Sequence, residues 1–458
     1  MRPPAPRVLR GWGMANWARS LVYRPLDGGE LAEAMMDART RGLTLTARGS
    51  GLSYGDAALN QGGAVLDVSG MDRVLDFDPQ AGLVRAEAGT TIEALWKHVL
   101  PGGWWPPVVP GTMKATLGGC VAMNVHGKNH ATAGAVGRHV QALTLVTGEG
   151  EVRTLTRGVV PEDDAGLWGM SLADVIGAQG LTGTIVDVTL SLRRVHSGYL
   201  DVEVEATRSL PETFEALDRG AREADYTVAW VDCTGMRAGR GVLHHAWYVP
   251  PDHALAGRAL DPAAQRLPSR VAGVLPRRQA WRALRPFTNR YGIHLLNFGR
   301  FHASALRGKR RYAQTHAAFH FLLDYVPDWK RAYGPHGLMQ YQLFIPAAGA
   351  REAFADALHQ QKKLGVPSYL GVMKRHTPED AAASYSVDGY SLALDFPVLR
   401  GEGYSRLMRL CRALDRIVED HGGRIYAAKD AVSLGELPER RDPAFSSNLV
   451  RRWERGLS

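Results

Sequence analysis

An α+β fold in two domains is what the sequence predicts. A chain of 458 residues exceeds what one ordinary core encloses. Strand-like alternation and helical periodicity take turns from residue 43 to residue 420, so sheets and helices share their cores. The 51 glycines fit many turns and a ligand site lined by backbone.

The first clear strand is residues 43–47, and it runs into the loop RGSGLSYGD at 48–56. Glycines after a strand suggest a dinucleotide fingerprint. No amphipathic helix follows, however, and no acidic residue is placed to hold a ribose, so a tight phosphate-binding loop between strands fits better. Strands follow at 64–68 and 83–88. A helix then starts at Thr90, where Thr90 and Glu93 form a capping box and Ile92, Leu95, Trp96 and Val99 repeat at helical spacing. Thr116 is the expected N-cap of a short helix with Leu117, Gly118 and Gly119 in its first turn, its N-terminus turned to a phosphate. A hairpin spans 140–155. After residues 179–183 comes a strand with Val186, Val188, Leu190 and Leu192 on one face, which closes a first unit of about 195 residues.

The middle of the chain predicts strands at 200–206, 227–233 and 241–248 and a helix at 211–224. A strand at 338–345 sets Gln340 and Gln342 on the face opposite Tyr341 and Leu343. A helix at 351–364, strands at 369–374 and 390–395, and a helix at 404–420 stopped by Gly422 complete this part. The expected domains are 1–196 and 197–423, with 424–458 returning to the first.

Net charge is +9 and unevenly spread. Between Arg258 and Arg311, 13 Arg or Lys face one acid, Asp261, with Val271, Val274, Leu275, Trp281, Leu284 and Phe287 interleaved. That pattern suits an anionic membrane surface or a phosphate-bearing lipid. No recognised nucleic-acid motif accompanies the charge. Cys120, Cys233 and Cys411 lack disulfide or metal spacing, and no histidine sits with carboxylates or cysteines at ligand spacing, so no metal is expected. No run of about 18 apolar residues exists, and the basic N-terminus has no apolar stretch behind it. A cytoplasmic protein is expected, peripheral at the inner face of the membrane.

The chemistry concentrates in residues 110–137, PGTMKATLGGCVAMNVHGKNHATAGAVG. Small residues let backbone N–H groups approach a ligand and form an anion cradle. The cationic loop HGKNH follows at once, which suggests a large phosphorylated cofactor with a reaction centre beside it. A lone histidine in such a loop is ordinarily a satisfied hydrogen-bonding group. Lys128 and His130 beside it favour a functional His126.

Five motifs occur in order: RGSGLSYGD (48–56), PGT…GG…NVHGKNH (110–130), GLTG (180–183), WKRAYGPHGLMQYQ (329–342) and YAAKD (426–430). Together they resemble the FAD-dependent oxidases of the vanillyl-alcohol-oxidase type, and among them the decaprenylphosphoryl-β-D-ribose 2′-oxidases. The resemblance covers nearly the whole chain. It implies a two-domain PCMH-type FAD-binding fold with an α+β substrate domain over the flavin.

Carried over residue by residue, the resemblance puts FAD along Arg48, Gly49, Ser50, Gly51, Leu52, Ser53, Tyr54, Gly55, Asp56, Ala57 and Ala58. It adds Gly111, then Thr116, Leu117, Gly118 and Gly119, then Met123, Asn124, Val125 and His126, with Ile185 and Tyr426 completing the set. Lys429 matches the lysine that lies over the flavin ring and reaches the substrate, and with His126 it is the expected catalytic group. His126, Lys128, Gln340, Gln342 and Lys374 match residues that line the sugar-phosphate pocket. Covalent relatives use a histidine in the first loop; none stands at 48–56, which implies non-covalent FAD. Ala131 replaces a further family histidine. Ala393 replaces the cysteine attacked by nitro-aromatic inhibitors, which implies insensitivity to them.

The implied activity is oxidation of the ribose 2′-hydroxyl of polyprenylphosphoryl-β-D-ribose to the 2′-keto form. That is the first half of an epimerisation toward the arabinose donor of cell-wall polysaccharide, with a short-chain reductase as partner for the second half. Two alternatives stand beside it: a sugar-lactone or alditol oxidase on a soluble substrate, and a non-catalytic scaffold of the same fold.

Overall fold

The computed structural model describes residues 3–457 apart from 160–168, 236, 272, 430–431, 434 and 436. The motif residue Asp430 therefore lies outside the described residues. The N-terminal half rests on two small sheets. The four-stranded one runs in the order Ala5–Arg10, Trp17–Tyr23, Ala64–Asp67, Leu45–Arg48, with its first pair antiparallel and the others parallel. Helix Gly28–Thr40 precedes Leu45–Arg48 and is capped by Asp27, whose side chain accepts from Glu30 N at 2.8 Å. None of the elements before residue 43 is expected from patterning, although the Asp27-to-Glu30 spacing is a capping signal.

The second sheet is antiparallel, in the order Val74–Asp78, Leu83–Glu87, Thr184–Ser191, Val140–Val146, Val152–Thr156. Its helix Ile92–Val99 is capped by Thr91 rather than Thr90. Thr91 Oγ1 accepts from Ala94 N at 3.1 Å, while the Thr90 hydroxyl donates to Arg73 O at 3.2 Å. In Thr184–Ser191 a bulge between Ile185 and Asp187 breaks the expected alternation. Ile185 is buried as a result, and Val186 is only half-buried.

The C-terminal half is one eight-stranded antiparallel sheet. Its strands are β1 (Tyr199–Thr207), β2 (Tyr226–Val231), β3 (Gly241–Tyr248), β4 (Arg310–Thr315), β5 (Leu338–Pro346), β6 (Gly371–His376), β7 (Gly389–Pro397) and β8 (Arg424–Ile425). They lie in the order β4-β1-β3-β2-β6-β7-β5-β8. Helices α1 (Leu210–Glu223), α3 (Ala347–Leu364) and α4 (Glu402–Asp420) cover one face, where Leu243, Tyr341, Met373 and Leu392 meet Phe214, Phe354 and Leu414. Helix α2 (Arg290–Arg307) lies in the basic segment, where patterning shows no element.

The period of two turns the other face toward the N-terminal half. Register sets Lys374 opposite Ser391, Ala393 opposite Gln342, and Trp230 opposite Val372, so groups of four strands share that face. The helix Asn448–Leu457 sends Leu449, Val450 and Trp453 into the same apolar core as Leu31, Leu45 and Leu145.

Candidate active site

A cavity of about 540 Å³ lies between the polar face of the large sheet and the loops of the N-terminal half. Arg48, Gly49, Ser50, Gly51, Leu52, Ser53, Tyr54, Ala57 and Ala58 line it from the first loop. Gly111, Thr116, Gly118, Gly119, Met123, Val125, His126, Ile185 and Tyr426 line it from the others. Gly55, Asp56, Leu117 and Asn124 stand off this wall and hold it from behind. Asp56 pairs with Arg452 at 3.0 Å, Leu117 is fully buried in the core, and Asn124 Oδ1 accepts from Gly137 N at 2.9 Å.

Two local features shape the wall. Arg48 folds back to donate to Ala58 O and Arg10 O, each at 3.0 Å, which closes the loop on itself. Gly51 at its bend has φ +65°, and a Cβ there would lie 2.0 Å from the Arg48 guanidinium. In the helix Leu117–Ala122 the N–H groups of Leu117 and Gly118 donate to Thr90 O and Ala88 O, both at 2.8 Å. The expectation that this helix start spends its donors on a phosphate is corrected for those two. Gly118 serves close approach instead, since its Cβ would fall 2.6 Å from that of Ala88. A wall of backbone and small side chains facing a sheet suits a flat, extended group such as a flavin dinucleotide. Cys120 is on the wall, and burial pushes its thiol up to about 12.

At the sheet end the polar groups converge. Lys429 Nζ sits 4.0 Å from the centre of the Tyr54 ring, and Tyr54 N donates to Ala428 O at 2.8 Å, which ties the loop to the C-terminal segment. Gln340 donates to Asp395 Oδ1, and Asp395 Oδ2 has no partner among the described residues. Burial raises the Asp395 carboxyl well above the usual carboxylate range. Burial also lowers the Lys429 ammonium, and Asp395 opposes that shift.

His126 is buried between two partners. Lys374 Nζ is 3.1 Å from its Nδ1, and the Gln342 side-chain amide is 3.1 Å from its Nε2. The amide atom at Nε2 is the Gln342 nitrogen, which donates there, so the ring proton lies on Nδ1 and faces the Lys374 amine. Desolvation, helped by Lys374, holds His126 well below its ordinary value and therefore neutral. Lys374 and Lys128 are themselves lowered to about 7, first by desolvation. Lys128 donates to Phe319 O and lies over the Phe319 ring at 4.3 Å.

The structure thus brings together Lys429, His126, Lys128, Gln340, Gln342 and Lys374. Sequence patterning misses Asp395, Arg300, His320 and Trp230. Only Asp395 had a local signal, an acid inside the apolar strand YSLALDFP.

Residues 20–156 match the family model described as "FAD binding domain". Across 99% of this chain and 98% of the other, the sequence is 32% identical to a decaprenylphosphoryl-beta-D-ribose oxidase of Mycolicibacterium smegmatis. An L-gulono-1,4-lactone dehydrogenase of Mycobacterium tuberculosis is 31% identical, over 44% of this chain and 45% of that one. A D-2-hydroxyglutarate dehydrogenase of Escherichia coli is 31% identical over 27% of this chain and 12% of its own length. The cofactor is FAD, and these relatives are oxidoreductases.

Proposed function

Because the chain belongs to the family of decaprenylphosphoryl-β-D-ribose oxidases, we propose that it oxidises the ribose 2′-hydroxyl of a polyprenylphosphoryl-β-D-ribose to the ketone. One observation carries the reading. Lys429, Tyr54, Gln340 and the neutral His126 share one end of a cavity whose other wall is the dinucleotide-type loop, and Asp395 backs Gln340 from behind that wall. Bound along that loop, FAD supplies the acceptor for the hydride that leaves the sugar carbon.

The side chains do the rest. A buried lysine beside a buried carboxyl sits near its ionisation point, so Lys429 can hold the hydroxyl and take its proton. Gln340 and Gln342 have their amides on the cavity face to orient sugar hydroxyls, and Lys374 fixes the His126 ring. The loop 48–58 contains neither histidine nor cysteine, which supports non-covalent binding of FAD. We place the domain boundaries near residues 196 and 423, where the chain passes between the two cores.

A reductase partner for the second half of an epimerisation follows from the ketone product. Peripheral membrane contact is supported by α2, which exposes Tyr291, Leu295, Phe298 and Leu306 among arginines. Among the described residues no helix is long and apolar enough to cross a membrane.

The test is anaerobic addition of polyprenylphosphoryl ribose to the purified yellow protein. Bleaching of the flavin band is expected; bleaching by sugar lactones alone would move the function to a soluble substrate. Lys429→Met should keep FAD and lose flavin reduction by about 100-fold or more. A variant that reduces its flavin at the native rate removes Lys429 from the chemistry.

A further inference from the structure

The cavity does not stop at the groups that face the flavin. It continues across the sheet to β2 and β3, where Trp230, His244, Lys128, His320 and Arg300 line it. Arg300, on α2, lays its guanidinium over the Trp230 ring at 4.6 Å, which leaves the donor edge free to meet a ligand. Among the described residues Arg300 makes no ion pair. His320 is 2% exposed, and its Nε2 has no partner among the described residues. A buried donor is ordinarily satisfied, so that nitrogen points to a group the protein does not itself provide. Lys128 stands between this end and Lys374. The acids on the cavity wall, Asp324 and Asp328, belong to the loop beside Gly111 instead, where Leu323 N donates to Gly111 O.

We propose that Arg300, His320 and Lys128 form an anion subsite that holds the phosphate joining sugar to lipid. The proposal rests on the polyprenylphosphoryl-sugar reading and assigns its phosphate. An arginine fixed flat on an indole presents two N–H groups in one plane, which matches two phosphate oxygens. Lys128 adds a point charge, and His320 adds the single donor of a neutral imidazole. Position on α2 also fits, because the same helix exposes the apolar residues beside which a lipid tail would leave.

Three probes of the holoprotein separate the possibilities, each followed through the flavin spectrum: farnesyl phosphate, farnesol and inorganic phosphate. Farnesyl phosphate should bind at least about tenfold more tightly than farnesol. Arg300→Gln should remove that advantage while FAD stays bound, and Arg300→Lys should retain part of it. Inorganic phosphate should perturb the spectrum weakly in the native protein and not in Arg300→Gln, which separates the contact to phosphate from the contact to lipid. Equal binding of farnesol and farnesyl phosphate by the native protein overturns the subsite. So does a phosphate advantage that survives Arg300→Gln.

Farnesylphosphoryl ribose distinguishes this failure from that of the parent reading. If it bleaches the flavin with the same half-saturation in Arg300→Gln as in the native protein, the subsite falls and the oxidation stands. If it never bleaches the flavin, the oxidation falls whatever the phosphate probes show.

Discussion

Burial tunes the titrating groups of the site, and it tunes them in opposing directions. Lys128 and Lys374 are lowered to about 7 because their ammonium groups lose water. An anion in the cavity reverses this by pairing with the charged forms, so the complex binds more protons than the free protein. Affinity for a phosphorylated ligand should then be greatest below pH 7 and fall as pH rises through it. The fall should approach tenfold per pH unit for each lysine that takes up a proton. Titration of farnesyl phosphate at several pH values above 7 measures the slope, and a flat profile would show that neither lysine contacts the anion. Asp395 acts on the other lysine. Its charge raises Lys429, so Asp395→Asn should move the ionisation seen in single-turnover flavin reduction to lower pH. Lys429 is legible because it stands in a recognisable motif. Asp395 is not: in YSLALDFP it reads as an interruption, and only pairing of β7 with β5 sets it opposite Gln340.

Elements were legible where one face carries large apolar residues and the other polar or small ones. The strands β1, β3, β5 and β7 and the helices α1, α3 and α4 lie within a few residues of their expected ranges, since each shows a period of two or 3.6. Helix α2 shows neither clearly. It buries only Ile293, Asn297 and Phe301, one residue per turn, and Asn297 in that stripe is polar. Asn297 is held by a buried ion pair: its side chain donates to Asp232 Oδ1 at 3.1 Å, and Arg240 meets Asp232 at 2.9 Å. A helix anchored through a polar contact keeps its apolar residues for the outside; Leu295 is 61% and Leu306 87% exposed. Replacing both by glutamate should abolish co-sedimentation with anionic liposomes and leave FAD content and thermal stability near native. Retained binding would move the membrane contact elsewhere on the molecule.

At the scale of the molecule, two cores are joined by one segment that serves both. Residues 424–425 extend the large sheet, Tyr426 and Lys429 reach the cavity, and Trp453 plugs the N-terminal core. Trp453 Nε1 donates to Ser433 O at 2.8 Å. Trp453→Ala should cost about 3–5 kcal/mol and lower flavin retention together with stability. Denaturant unfolding followed by tryptophan and by flavin fluorescence checks this, and loss of stability with full flavin affinity would separate core from site. The return of this segment could be read from its composition and motif. Its docking partners could not, because contacts such as Asp56 with Arg452 span nearly 400 positions.

That same return sets an order of assembly during synthesis. Every residue of the first loop leaves the ribosome long before Tyr426, Lys429 and Trp453 exist. A nascent chain therefore carries an incomplete flavin cradle, its N-terminal core still missing the indole of Trp453. Tight capture of FAD then waits until Tyr426, Lys429 and Trp453 have emerged, and a chain cut anywhere upstream of residue 426 lacks the groups that complete the cavity and its supporting core.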